Sequence, residues 1–142
     1  MRESLFKKNG QNGVHLSTNY NQSKLTTKFT SIYDSNSDNT VIMLNIERAT
    51  VYEAKEFIEY VTEIINDGKN RIIIDLENVY FLDSVFFGAL IKLLKLTNKE
   101  GGYIRLIAER KNKPELLSIS NFDGIFELYP NLFSAISEKK AS

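Results

Sequence analysis

Asp75-Leu-Glu-Asn-Val-Tyr-Phe-Leu-Asp-Ser-Val-Phe-Phe-Gly88 is the stretch whose reading decides the fold. It grows out of Arg71-Ile-Ile-Ile-Asp-Leu76, a short and almost continuous apolar run, as a strand covered on both faces would be. A brief loop follows, and Asp83-Ser84 stands where a helix must begin, because Val85 to Leu96 is long and apolar enough for a nearly buried helix. Asp and Ser suit that place: their side-chain oxygens accept from amides that have no partner inside the helix. Strand, loop and capped helix make one βα unit, the building block of a sheet with helices packed against it.

Moving towards the N-terminus, Thr50-Val-Tyr-Glu53 fits a capping box, in which the threonine hydroxyl and the glutamate carboxylate serve each other's amides. Ala54, Phe57, Ile58, Val61, Ile64 and Ile65 then recur at helical spacing, and Gly68 is a stop signal. Before this helix, the β-branched and aromatic stretches Leu25–Tyr33 and Val41–Ile46 flank the polar turn Asp34–Asn39, which predicts an antiparallel hairpin. Towards the C-terminus, Gly101-Gly102 turns the chain into a strand from Tyr103 to Ala108, and Lys113-Pro-Glu opens a short helix. Ile125–Tyr129 reads as a last strand and Asn131–Glu138 as a last helix. The expected fold is α/β, a single domain with a mixed β-sheet, in the order β-β-α-β-α-β-α-β-α. Right-handed crossovers place the consecutive βαβ strands parallel. Residues 1–23 are rich in Asn, Gln, Ser, Gly and Lys without hydrophobic period, so they read as a flexible arm ahead of a domain over 24–142. Leu5-Phe6 and Val14 are its apolar spots.

Composition narrows the function by exclusion. Eighteen basic and eighteen acidic side chains leave no global field to draw nucleic acid or an anionic membrane. There is no cysteine, and the lone histidine, His15, makes neither a metal site nor a triad. No phosphate-cradling loop, dinucleotide fingerprint or metal-ligand cluster occurs, and a catalytic serine lacks a base. No apolar run resembles a secretory signal or approaches the roughly 18 residues of a membrane span. The expectation is a cytoplasmic, non-enzymatic protein without cofactor or metal, acting on a protein partner through its surface.

Ser84 has two readings. One is a helix cap. The other is a phosphoacceptor, since the free amides and the positive dipole end of a helix favour an added phosphoryl charge. The residues around it carry a resemblance. Phe81-Leu-Asp-Ser-Val-Phe-Phe-Gly88, after the Ile-Ile-Ile-Asp-Leu-Glu-Asn-Val strand and loop, resembles the signature of STAS domains, named after sulphate transporters and anti-sigma factor antagonists. In the family's bacterial antagonists the segment typically reads Phe-(Met/Ile)-Asp-Ser-(Ser/Thr)-Gly-Leu-Gly. The likeness extends from about Leu25 to Ser137, through the same order of elements, and includes Gly101-Gly102 and Asn121-Phe-Asp-Gly-Ile-Phe126. It implies an anti-sigma factor antagonist, whose first serine after the aspartate is phosphorylated by a partner kinase that doubles as the anti-sigma factor. By position that serine is Ser84 and the aspartate Asp83.

Three residues depart from the pattern: Val85, Phe86 and Phe87 replace a Ser/Thr, a glycine and a leucine. Phe86 then either anchors a partner, as exposed aromatics do, or folds back onto the core. Glu47-Arg48-Ala49 lies where the family has a loop beside the phosphorylation site. The expected partner-binding set is therefore Asp83, Ser84, Val85, Phe86, Glu47 and Arg48, with an anti-sigma factor or serine kinase, and a phosphatase, as partners. Lys111 and Lys113 face either a partner or water. The alternative function is a non-phosphorylated scaffold or assembly subunit with a constitutive interface, in which Ser84 only caps. Asp75, at a strand end, sits where receiver domains carry a phosphoaspartate, but the paired acidic residues that would bind magnesium are missing, and a structural carboxylate is the expectation.

Overall fold

The hairpin turn shows how local chemistry sets register. Asp34 accepts from Asn36 N and from the Ser37 hydroxyl, while Asp38 takes a left-handed conformation at φ 61°. Short polar side chains tolerate both roles, so the chain reverses within residues 35–38. Strands β1 (Phe29–Asp34) and β2 (Asn39–Leu44) then pair antiparallel from Asp34↔Asn39 to Phe29↔Leu44. The second strand thus starts and ends two residues earlier than the apolar run suggests, because the turn fixes the pairing. This computed structural model describes residues 28–109 and 122–137. The N-terminal arm, residues 24–27, His15, Lys111 and the helix expected at Lys113 lie outside them.

The main sheet has five strands in the order β1-β2-β4-β6-β7, where β4 is Arg71–Asp75, β6 is Tyr103–Ile107 and β7 is Glu127–Tyr129. All pairings after the hairpin are parallel. The isoleucine run behaves as a doubly covered strand: Ile72, Ile73 and Ile74 have no exposure at all. Ile72 and Ile74 join the larger core beneath helices α1 (Val51–Asn66) and α2 (Ser84–Lys99). Ile73 faces the other side, with Val41, Ile107 and Ala135 of the last helix. There the buried Arg105 donates to Ala135 O at 2.8 Å and to Glu127 Oε1 at 3.1 Å, tying that helix to the sheet.

Both long helices start as their sequences dictate. The Thr50–Glu53 capping box is complete, and Asp83 caps α2 by accepting from Phe86 N. Gly68 follows the end of α1 with φ 93°, a conformation that costs glycine nothing. Gly102 is required for space instead, since a Cβ there would lie 1.8 Å from Asn70 O.

Two features go beyond the expected order. A separate two-stranded parallel sheet joins β3 (Arg48–Ala49) to β5 (Phe81–Leu82). A one-turn helix, α3 (Phe122–Ile125), takes the residues before β7, so the last strand begins at Glu127 and not at Ile125. Phe126 between them is buried against Phe87, 6.2 Å between ring centres. The final helix, α4, spans Leu132–Ser137, with Asn131 Oδ1 accepting from Ser134 N at 2.8 Å. The α/β class with a mixed sheet and helices against it is the fold observed.

Candidate docking site at the start of the second helix

Strand β4 delivers its chain to the site through a loop that is fastened at each step. Leu76 N donates to Ile107 O, and Tyr80 N and Phe81 N both reach Glu47 O, at 3.0 and 3.3 Å. Pairing of Arg48 with Phe81 and of Ala49 with Leu82 follows, and Asp83 N donates to Ala49 O at 3.0 Å. The small sheet therefore aligns two segments that enter the two helices, Thr50 into α1 and Asp83 into α2.

Asp83 serves both. Its Oδ1 accepts from Phe86 N at 2.8 Å within α2, and its Oδ2 accepts from Val51 N at 2.9 Å in the first turn of α1. Two amides that each helix would otherwise leave unpaired are satisfied by one carboxylate. Capping is thus the work of Asp83. Ser84 is the first helical residue, exposed, and its hydroxyl enters no hydrogen bond among the described residues.

The three residues that follow separate sharply. Val85 is 49% exposed, whereas Phe86 is completely buried and Phe87 nearly so. Phe86 packs on Phe57 of α1 with ring centres 4.9 Å apart, and Phe57 in turn meets Phe29 edge-on. The expectation of Phe86 as a partner-binding residue is therefore corrected. Its large ring fills the junction between α1 and α2, where an apolar side chain gains far more than at the surface.

Glu47 and Arg48 are exposed beside Ser84's loop, and each is held by an aromatic residue. Glu47 Oε1 accepts from the Tyr80 hydroxyl at 2.9 Å, and the Arg48 guanidinium lies 4.2 Å above the Phe81 ring. The hydrogen bond to Glu47 and its negative charge hold the Tyr80 hydroxyl protonated above the usual phenol range. Four further residues on this end were not singled out from sequence: Val51, Tyr52, Tyr80 and Phe81, all exposed apolar side chains. Tyr52, 87% exposed, carried a usable signal. It precedes Ala54 by two residues, about 200° around the helix from the apolar face. An aromatic ring there has no core to enter. Asp75, by contrast, accepts from Glu77 N at 2.9 Å in a local turn.

Among the described residues no three His, Cys, Asp or Glu side chains are grouped to hold a metal ion, and no helix is long and apolar enough to cross a membrane. What the site offers is a serine hydroxyl within a partly apolar, partly charged surface, the equipment of a protein-docking module. The STAS domain model matches residues 34–135, and this chain belongs to the STAS domain family. A Thermotoga neapolitana protein named "Putative anti-sigma factor antagonist TM1081 homolog" is 32% identical over 95 residues, which cover 67% of this chain and 80% of the relative. The crystal structure of its Thermotoga maritima counterpart superposes with a TM-score of 0.66 at 26% identity, covering 75% of this chain and 90% of that one. The anti-sigma factor antagonist SpoIIAA in its unphosphorylated form, 14% identical, shares the fold with a TM-score of 0.57 over 75% of this chain and 91% of its own.

Proposed function

We propose that this protein is a partner-switching regulator and not an enzyme: an anti-sigma factor antagonist that binds an anti-sigma factor through the face around Ser84. Phosphorylation of Ser84 by that partner, acting as a serine kinase, releases it, and a phosphatase resets it. The cytoplasm is the compartment this reading requires. The observation that carries it is the exposed Ser84 hydroxyl, relieved of capping by Asp83 and surrounded by exposed Val51, Phe81 and Val85 with Glu47 and Arg48 alongside.

The physical argument is one of location. A phosphoryl group adds about −1.5 to −2 charges at neutral pH, and the start of α2 tolerates them within the folded chain. At an interface the same dianion must lose its water beside the carboxylate of Asp83. A loss of ~3–4 kcal/mol weakens a complex several-hundred-fold. Association is thereby reversed without unfolding the domain. The test is a pull-down from the protein's own cells with wild-type and Ser84→Asp bait. Wild type retains an ATP-dependent serine kinase and Ser84→Asp does not; equal retention by both baits would sink the idea.

The exposed apolar side chains Val51, Phe81 and Val85 favour a second reading, a scaffold or assembly subunit with a constitutive interface. Intact mass decides between them. A chain that stays unmodified under all growth conditions, while co-purifying with one stable partner, belongs to the scaffold class.

A further inference from the structure

Helix α2 carries an exposed glycine that nothing inside the described fold requires. Gly68 and Gly101 hold left-handed backbones, and Gly102 has no room for a Cβ. Gly88 has neither reason. It lies within Ser84–Lys99 without a positive φ, and a Cβ there would meet nothing within 4 Å. Glycine in a helix interior is about fourfold less favourable than alanine, through the backbone freedom it gives up on folding. The missing side chain therefore weakens α2 without easing any contact among the described residues. A helix backbone left bare at one exposed point is where a second backbone can come closest.

The position of Gly88 ties it to Ser84. It follows Ser84 by four residues and Val85 by three, so all three share one side of α2. That side continues through Lys92 and Lys95, four and seven residues beyond Gly88, and all five residues are exposed. The helix holds three lysines and no carboxylate, while the neighbouring α1 holds Glu53, Glu56, Glu59 and Glu63 against Lys55. Lys99, in the last turn, complements the negative end of the helix dipole. Lys92 and Lys95 lie ahead of that turn, and no described ion pair engages either. The surface thus runs apolar at Val85, bare at Gly88 and cationic at Lys92 and Lys95.

With docking at Ser84 as the premise, we propose that the anti-sigma factor lays a segment of its own across α2 at Gly88, backbone against backbone, with carboxylates of that segment facing Lys92 and Lys95. The missing Cβ admits the segment. The two ammonium groups select an acidic one and fix its direction along α2. A dianion formed at Ser84 lies one turn from Gly88, under the same segment.

The test sets Gly88→Ala and the double variant Lys92→Gln, Lys95→Gln beside wild-type and Ser84→Asp baits in pull-downs from the protein's own cells, with thermal unfolding of each chain. Gly88→Ala melts about 3 °C above wild type, as better helix formation requires. It nevertheless retains about tenfold less of the ATP-dependent serine kinase. The lysine variant retains less kinase at low salt and matches wild type at high salt, where screening removes the attraction. Equal retention by Gly88→Ala and wild type overturns the proposal. So does a Gly88→Ala chain that melts below wild type, since the glycine then serves the fold, or a lysine variant whose retention and salt response match wild type. Equal retention by wild type and Ser84→Asp removes the switch instead and leaves the Gly88→Ala comparison standing. A wild-type bait that retains no kinase overturns both.

Discussion

Asp83 Oδ2 accepts from Val51 N at 2.9 Å, so the cap of the second helix also holds the first residue of the first helix. With Oδ1 bound to Phe86 N, one carboxylate fixes the spacing of the two helix starts. The surface around the two helix starts is consequently one platform and not two loops. Residues on either helix start keep their relative positions as long as Asp83 is intact.

Asp83→Ala removes both acceptors. Each cap interaction contributes about 1 kcal/mol, so the substitution lowers unfolding free energy by about 2 kcal/mol. Asp83→Asn keeps one acceptor oxygen and loses about half as much. Urea unfolding, with an unchanged slope and a lower midpoint, measures both. A full loss with Asn would show that the carboxylate's charge and not its geometry is what counts.

Ser84→Asp, Ser84→Ala and Val85→Glu alter exposed side chains, and each stays within about 0.5 kcal/mol of wild-type stability. Binding separates them. Ser84→Asp and Val85→Glu lose the partner, and Ser84→Ala keeps it while resisting phosphorylation. Quantitative pull-down beside thermal unfolding reads both quantities; a Ser84→Ala chain that is still labelled by the kinase would move the acceptor elsewhere.

Phe86 and Phe81 are neighbours in sequence with opposite expectations. Phe86→Ala empties a fully buried site against Phe57 and costs about 3–5 kcal/mol. Phe81→Ala gives up the contact with Arg48, about 0.5–1 kcal/mol, and acts mainly on binding. Denaturant midpoints of the two variants, measured side by side, check the contrast.

The Tyr80–Glu47 hydrogen bond has a pH limit. Its folded pKa is raised, by the hydrogen bond to Glu47 first and by that carboxylate's charge second. A raised folded pKa means the stabilisation is present below the unfolded phenol pKa of about 10 and is lost as pH rises through the folded value. Ultraviolet titration of wild type and Tyr80→Phe isolates this hydroxyl as a late-titrating phenol that the variant lacks. Glu47→Gln brings the Tyr80 titration back towards the ordinary range, and no shift on that substitution would rule out Glu47 as the cause.

Much of this is legible in the amino-acid sequence. The capping box at Thr50, the apolar face from Ala54 to Ile65, the isoleucine strand and the Asp83-Ser84 helix start depend on neighbours within a turn or a strand, and periodicity reports them. The meeting of a strand end, a loop and the helix start at Ser84 was legible for the same reason, as all three lie together in the chain. Phe86 was not settled, because an apolar ring in a first helical turn carries no sign of which side meets the core. The register of the hairpin shifted for a related cause: the left-handed Asp38 decides the pairing, and a polar cluster of turn residues does not say which of them takes that conformation.

The chain's sequence by itself thus determined that Ser84 begins a helix after a buried strand. Only the tertiary structure decided what Ser84 is free to do. The cap falls to Asp83, whose second acceptor bond spans 32 residues to Val51, and the ring of Phe86 turns inward to Phe57. Tyr52, Tyr80 and Phe81 come to the same end through pairing of β3 with β5. Contacts of that separation arise from the closing of the whole sheet, and local propensity holds no record of them.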